Sequence, residues 1–199
     1  MTWVDYRWSL APGSRWVRLP LESPADNGWQ EAAAARLLGP DTPADQRADL
    51  AQELDFWLGD CRRRAVPTAL ALVPDEIATV AALAELHSYA MDPKDPSAGT
   101  IEWLSSNLAV NQKPAMGEAI PEEIELPAGP AVRLRGLYAD LRDQEGSAML
   151  VERVMHAVRP PQIDDLLLLS TTWAMLALGD ELAKRADELA RTLSVEQAS

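Results

Sequence analysis

Three stretches between Val132 and Trp173 constrain the fold more than any other part of the chain. They are Val132-Arg133-Leu134-Arg135, then Met149 to Arg159, then Asp164 to Trp173, broken by Glu145-Gly146-Ser147 and by Pro160-Pro161. Apolar runs of this length bounded by turn residues read as strands, and short breaks join neighbouring strands antiparallel. Such a meander has an apolar face that another layer must cover. A cover follows at once in the sequence. Leu182, Ala186, Leu189 and Leu193 recur at helical spacing, with Glu181, Lys184, Arg185, Asp187, Glu188 and Arg191 between them. That pattern predicts an amphipathic C-terminal helix that closes the fold, with only the last few residues frayed.

The first half alternates between helix and strand signals. Trp16 to Leu21, inside a predicted strand over residues 15 to 21, ends at proline and follows the turn Ala11-Pro12-Gly13-Ser14. Trp29 to Leu38 holds four alanines after Gly28 and stops at Gly39-Pro40, which predicts a helix. Thr42-Pro43, with Asp45 three residues after Thr42, predicts a capped helix start with proline at its first position. The apolar face of this second helix runs through Leu50, Leu54, Trp57 or Leu58, and Cys61, and the helix stops before Pro67.

Thr68 to Val73 is a short apolar run between Pro67 and Pro74, which argues for a buried strand. The next segment, Ile77 to Ala90, is ambiguous between helix and strand. Its alanines and leucines favour a helix, yet Ala78, Val80, Ala82, Ala84 and Leu86 would share one strand face, and a hairpin through Pro74-Asp75 would pair it with the preceding run. We read it as a strand. Residues 92 to 99 form a loop by composition, and Thr100 caps a short helix over Ile101 to Leu108. Prolines recur from Gln112 to Pro130, leaving room for an edge strand at Glu122 to Leu126. The whole reads as an α+β chain of one domain over residues 1–199, with a mainly antiparallel sheet of about six strands flanked by helices.

Composition narrows the function classes. The formal charge of −13 repels phosphate backbones, and no basic run is longer than Arg62-Arg63-Arg64, so nucleic acid is not an expected partner. The same charge keeps a protein soluble, or attracts a basic partner. A single cysteine permits no internal disulfide, and the start Met1-Thr2-Trp3-Val4-Asp5 lacks a secretory pattern. Leu166 to Leu178, the longest run without charge, is too short to span a bilayer. A cytoplasmic protein with no membrane span is the expectation.

Side chains able to do chemistry are sparse. His87 and His156 are the two histidines, and Glu85 with His87, and Glu152 with His156, stand at even separations that put each pair on one strand face. Adjacent strands could gather all four as a metal site, although polar alternation on a half-exposed sheet yields such pairs by default. Cys61 precedes three arginines that would lower an exposed thiol's pKa, but it lies on the apolar helix face, where cysteine packs as a small hydrophobe. Asp164-Asp165 would point to opposite faces of a strand and makes a poor acid/base pair. No glycine-rich phosphate loop, nucleophile elbow or His-Glu-x-x-His occurs. No catalytic set, metal site or cofactor is expected.

Seven tryptophans against one phenylalanine is an unusual balance, and tryptophan is enriched at interaction sites. Trp3, Tyr6 and Trp8 lie in an aromatic N-terminal arm, residues 1–14, ahead of the first predicted strand. They either dock onto the body or stay available to a partner, and are the candidate partner-binding residues.

The order of elements, namely a strand at Trp16 to Leu21, two helices, paired strands, the Trp103 helix, a meander ending in Leu166-Leu167-Leu168-Leu169-Ser170-Thr171-Thr172, and the helix Gly179-Asp180-Glu181-Leu182 to Leu193, resembles the PsbP-like α/β/α sandwich family. It looks most like uncharacterised actinobacterial members, and arginine's excess over lysine fits that background. The resemblance implies a binding subunit or adaptor and carries no catalytic residues with it. The resulting expectation is a non-enzymatic protein-binding accessory protein with a basic partner. Two alternatives stand beside it: an immunity or inhibitor protein for a cationic toxin, and a small-molecule or metal-binding enzyme using His87 and His156.

Overall fold

The computed structural model describes residues 6–22, 28–91, 94, 99–111, 116–140 and 149–197. Its elements run β1 (Tyr6–Leu10), β2 (Trp16–Arg18), α1 (Trp29–Leu38), α2 (Ala44–Arg63), β3 (Thr68–Leu72), β4 (Ala82–Ala90), α3 (Ile101–Asn111), β5 (Glu122–Leu126), β6 (Gly129–Asp140), β7 (Met149–Val158), β8 (Asp165–Trp173), α4 (Gly179–Ala190) and β9 (Leu193–Gln197). The strands form a seven-stranded sheet in the order β2-β3-β4-β8-β7-β6-β5 and a two-stranded sheet of β1 with β9. Among the described residues no helix is long and apolar enough to cross a membrane. The chain divides into two compact units, Pro12–Leu86 and the remainder, and β4 contributes to both.

In the unit Pro12–Leu86, α1 and α2 cover one core built from Ala34, Leu37, Leu50, Leu54, Leu58, Cys61, Ala69, Ala71 and Leu83. Every residue of β3 is buried, and β3 lies between β2 and β4. The Trp16↔Leu72 and Leu72↔Ala82 pairings set its register on the two sides. Residues 82–90 are thus a strand despite their alanine and leucine content. Ladder bonds to β3 outweigh a helix propensity that differs by only about 0.7 kcal/mol per residue between ordinary side chains. Residues 77–81 are not part of it. The Glu53 carboxylate on α2 accepts from Thr79 Oγ1 at 2.7 Å and from the Val80 amide at 2.9 Å, holding them as a connecting loop.

One expectation fails at the start of α2. Thr42 does not cap this helix, and Pro43 takes the cap position with extended ψ of 144° instead of the first helical one. The Thr42 hydroxyl donates backwards to the Leu38 carbonyl at 2.6 Å, satisfying the end of α1. Helix ends leave carbonyls as well as amides without partners, and here the carbonyl captures the threonine.

The second unit holds the meander. β6 pairs with β7 from Ala131↔Val158 to Asp140↔Met149, and β7 with β8 from Val158↔Leu167 to Glu152↔Trp173. β6 begins before the predicted Val132 because a tight connection at Pro127-Ala128 joins it to β5, with Leu126 opposite Gly129. Gly129 cannot carry a side chain here. Its φ is +135°, and an added Cβ would lie 2.8 Å from the Arg159 carbonyl oxygen. α3 is capped as expected, the Trp103 amide donating to Thr100 Oγ1 at 3.2 Å, and Leu104 anchors it on Val132, Ala157 and Leu166.

The chain does not close on α4. β9 follows it and pairs antiparallel with β1, Leu10 against Leu193 and Trp8 against Val195. Leu193, read in the sequence as the last apolar position of the helix, is instead a buried strand residue. Its spacing from Leu189 fits both periods, so a strand of five residues leaves little signal of its own.

Candidate functional site

Strand β1 carries two of the three aromatic residues proposed from the sequence. Successive strand residues face opposite ways, so Tyr6, Trp8 and Leu10 share a face while Arg7 and Ser9 point to solvent. Leu10 is buried, and Tyr6 and Trp8 are half-buried. Val195 of β9 stands opposite Trp8 on the same face. Ser9 and Ser194 hydroxyls meet at 2.9 Å on the outer face. β1 pairs only through one edge among the described residues, leaving its other row of backbone groups open. Trp3 lies outside the described residues.

The titratable side chains gather elsewhere, beneath α4. Arg133 and Arg135 alternate on one face of β6, and Glu152 and His156 alternate on the adjoining face of β7. Asp187 of α4 receives the Arg133 Nε at 2.8 Å and the His156 Nε2 at 2.9 Å. Glu152 receives the Arg135 Nε at 2.6 Å and the Trp173 indole N–H at 3.0 Å. Arg135 also donates to Asp180 at 2.9 Å. Asp187 and Glu152 thus join four elements, β6, β7, β8 and α4, through two arginines, a histidine and a tryptophan.

Electrostatics fixes the protonation states in this cluster. Burial pushes the His156 imidazole below its usual 6.5 and outweighs the pull of Asp187 in the other direction. His156 is therefore neutral near pH 7, its Nε2–H donates to Asp187, and its buried Nδ1 has no hydrogen-bond partner. Burial raises the Asp187 carboxyl, but the hydrogen bonds from His156 and Arg133 together hold it down at about 2. Burial likewise lowers the Arg135 guanidinium, and its bonds to Glu152 and Asp180 reverse this to a net rise.

The first residue of α4 explains how close the helix comes. A Cβ on Gly179 would collide with Glu152 Oε2, so only glycine lets the helix start rest on that carboxylate. An anion at this position meets the positive pole of the helix.

The four residues weighed as a metal site do not come together. β8 lies between the strands of His87 and His156. His87 stacks on Tyr89 with ring centroids 6.1 Å apart, and Glu85 receives the two terminal Arg64 guanidinium nitrogens, at 2.9 and 2.7 Å. Those bonds, Glu85 first and Asp60 after it, raise the Arg64 pKa against the effect of burial. Among the described residues no group of three His, Cys, Asp or Glu side chains is placed to hold a metal ion. Cys61 is fully buried on α2, with Arg64 Nη2 3.7 Å from its sulfur. Asp165 accepts from the Ser88 hydroxyl at 2.5 Å.

A polar cleft of about 580 Å³ opens in the unit Pro12–Leu86, between Arg15, Leu37, Thr42, Gln46, Asp75 and Ile77. Its cation is already engaged, since Arg15 pairs with Asp75 and donates to the Leu37 carbonyl at 2.7 Å.

Sequence reasoning missed Asp187 as the partner of His156, having set it on the solvent face of the last helix. Ala183, Ala186 and Ala190 are buried with Leu182 and Leu189, and Asp187 flanks that wider face. Counting the alanines as well as the leucines would have found it. No family model and no curated protein matches the chain. Among solved structures it is similar to LpqN of Mycobacterium tuberculosis, described as involved in cell envelope biogenesis, with 13% sequence identity and a TM-score of 0.49 over 96% of this chain and 84% of that one.

Proposed function

We propose that this chain is an accessory protein that binds a protein partner through its aromatic N-terminal strand and carries out no reaction of its own. The observation that supports this reading is the stance of Tyr6 and Trp8, two apart on one face of β1 and each only half covered. Aromatic side chains offer large contact area at small entropic cost, and the open edge of β1 adds backbone groups for pairing. Trp3, in the segment before the strand, joins them as a candidate contact. The formal charge of −13 makes a basic partner the natural expectation.

Among the described residues, several side chains able to do chemistry make structural contacts. His156 and Asp187 hold α4 to the sheet, Glu152 receives Arg135 and Trp173 within the sheet, and Glu85 holds Arg64. The PsbP-like element order points the same way by analogy alone.

Affinity capture from the native cells tests the reading, with the tagged protein beside its Tyr6→Ala/Trp8→Ala variant. The expected result is a stoichiometric companion that the variant fails to retain, and that the unaltered protein releases at high salt. A companion held equally by both proteins, or none held by either, overturns it.

A further inference from the structure

The sheet ends at β5, with no strand beyond it among the described residues. The direction of its free backbone groups follows from the partner strand. Residues facing each other across an antiparallel ladder either exchange both hydrogen bonds or neither, in alternation. Glu125 stands opposite Pro130, which has no amide hydrogen and whose carbonyl oxygen accepts from the Arg159 amide at 2.9 Å on the far side. The Glu125 and Pro130 pair is thus one that exchanges none. By the same alternation Glu123, opposite Val132, is another. Both residues therefore aim their N–H and C=O groups outward from the sheet.

Their side chains choose the occupant. Glu122, Glu123 and Glu125 are exposed along a strand of five residues, and Glu118 is exposed just before it. A second copy of this chain pairing there would oppose like charges across the new ladder, which disfavours self-association. A cationic strand meets the opposite condition. Beyond β5 the same margin continues to Met116, which bridges to Leu137, and it exposes Met116 by 61% and Ile120 by 70%. Large apolar side chains this open beside a free edge suit the alternate side chains of an added strand.

We infer that the β5 edge docks an extended segment of another protein in which basic and apolar residues alternate, adding to the sheet as a further strand. From the register of Leu126 to that of Met116 the margin accommodates about nine residues. The occupant's basic side chains lie over Glu123 and Glu125, and its apolar ones reach Ile120 and Met116. The inference is independent of Tyr6 and Trp8, which lie on the other, two-stranded sheet.

The test uses the full chain and two capped decapeptides of equal charge, one alternating Lys with Val and one alternating Lys with Pro. Proline blocks the ladder while leaving the charge intact. The Lys-Val peptide should bind and slow exchange of the Glu123 and Glu125 amides about tenfold or more, and the Lys-Pro peptide should not slow them. Glu123→Lys/Glu125→Lys should weaken Lys-Val binding about tenfold or more. Asp45→Lys/Asp49→Lys on α2 carries the same change in net charge and should weaken it far less, and Tyr6→Ala/Trp8→Ala should leave it unchanged. Equal binding of both peptides, unaltered exchange at Glu123 and Glu125, or equal loss from the two charge reversals overturns the inference, as does absence of binding.

Discussion

His156 Nε2 and Asp187 Oδ1, 2.9 Å apart, tie β7 to the last turn of α4. Arg133 reaches the same oxygen at 2.8 Å from β6, so one carboxylate joins a helix to two strands. Replacing Asp187 with Asn would leave the Arg133 guanidinium without its main counter-charge. The expected cost is about 1–3 kcal/mol in urea unfolding, within the range for breaking a largely covered charged hydrogen bond. A double-mutant cycle of Asp187→Ala with His156→Ala should give a coupling of about 0.5–3 kcal/mol, and strict additivity would show that the contact contributes nothing.

The same pair sets the pH dependence of stability. Asp187 is held at about 2 against an ordinary 3.8, so the stability it contributes is complete above 3.8 and is lost as pH falls through 2. His156 is held below 6.5, so the unfolded chain takes up a proton below that pH that the folded chain refuses. Both shifts make stability rise with pH. Unfolding free energy should therefore decline as pH falls below 6.5, by at most about 1.4 kcal/mol per pH unit from His156. In His156→Gln the loss that begins at 6.5 should flatten while the strongly acid loss remains. Unchanged pH profiles would remove His156 as the cause.

Gly179 and Glu152 allow a test by reversal of sign. Alanine at an ordinary helical position stabilises by about 1 kcal/mol over glycine. Gly179→Ala should instead destabilise by about 1–3 kcal/mol, because its methyl group displaces the Glu152 carboxylate. In a Glu152→Ala background the same change should become stabilising. Destabilisation of equal size in both backgrounds would mean that another contact is responsible.

Glu53 holds the loop between β3 and β4 through Thr79 and Val80. Glu53→Ala leaves the amide of buried Val80 without its acceptor and should cost about 1–3 kcal/mol. Hydrogen exchange at Val80 should accelerate, while that of Ala84 within β4 should hold. Glu53→Gln, which keeps one acceptor oxygen, should recover part of the loss.

Much of the fold was legible in the residues. The strand Glu122–Leu126 was read with the bounds that it has, since prolines bracketed the only segment able to extend there. α1, α2 and β3 follow from alanine content, apolar spacing and the prolines at 67 and 74. The cap at Thr42 was misread because a threonine between two helices can satisfy either, and spacing along the chain does not rank the two. β1 and β9 left almost no trace, because each of these short strands exists by pairing with the other from the far end of the chain.

The same division runs through the candidate sites. Alternation put Glu152 with His156 on one face, and the recurring prolines put residues 122–126 on an edge strand. Local sequence determined these features because strand and helix periods act over a few residues. The tertiary structure decided which groups meet. It separated His87 from His156 by a strand, gave Glu85 to Arg64, brought Asp187 to His156, and left Glu123 and Glu125 facing outward from the sheet margin. Those outcomes depend on strand order and register, which arise from burying the whole apolar surface at once and are not contained in any single segment.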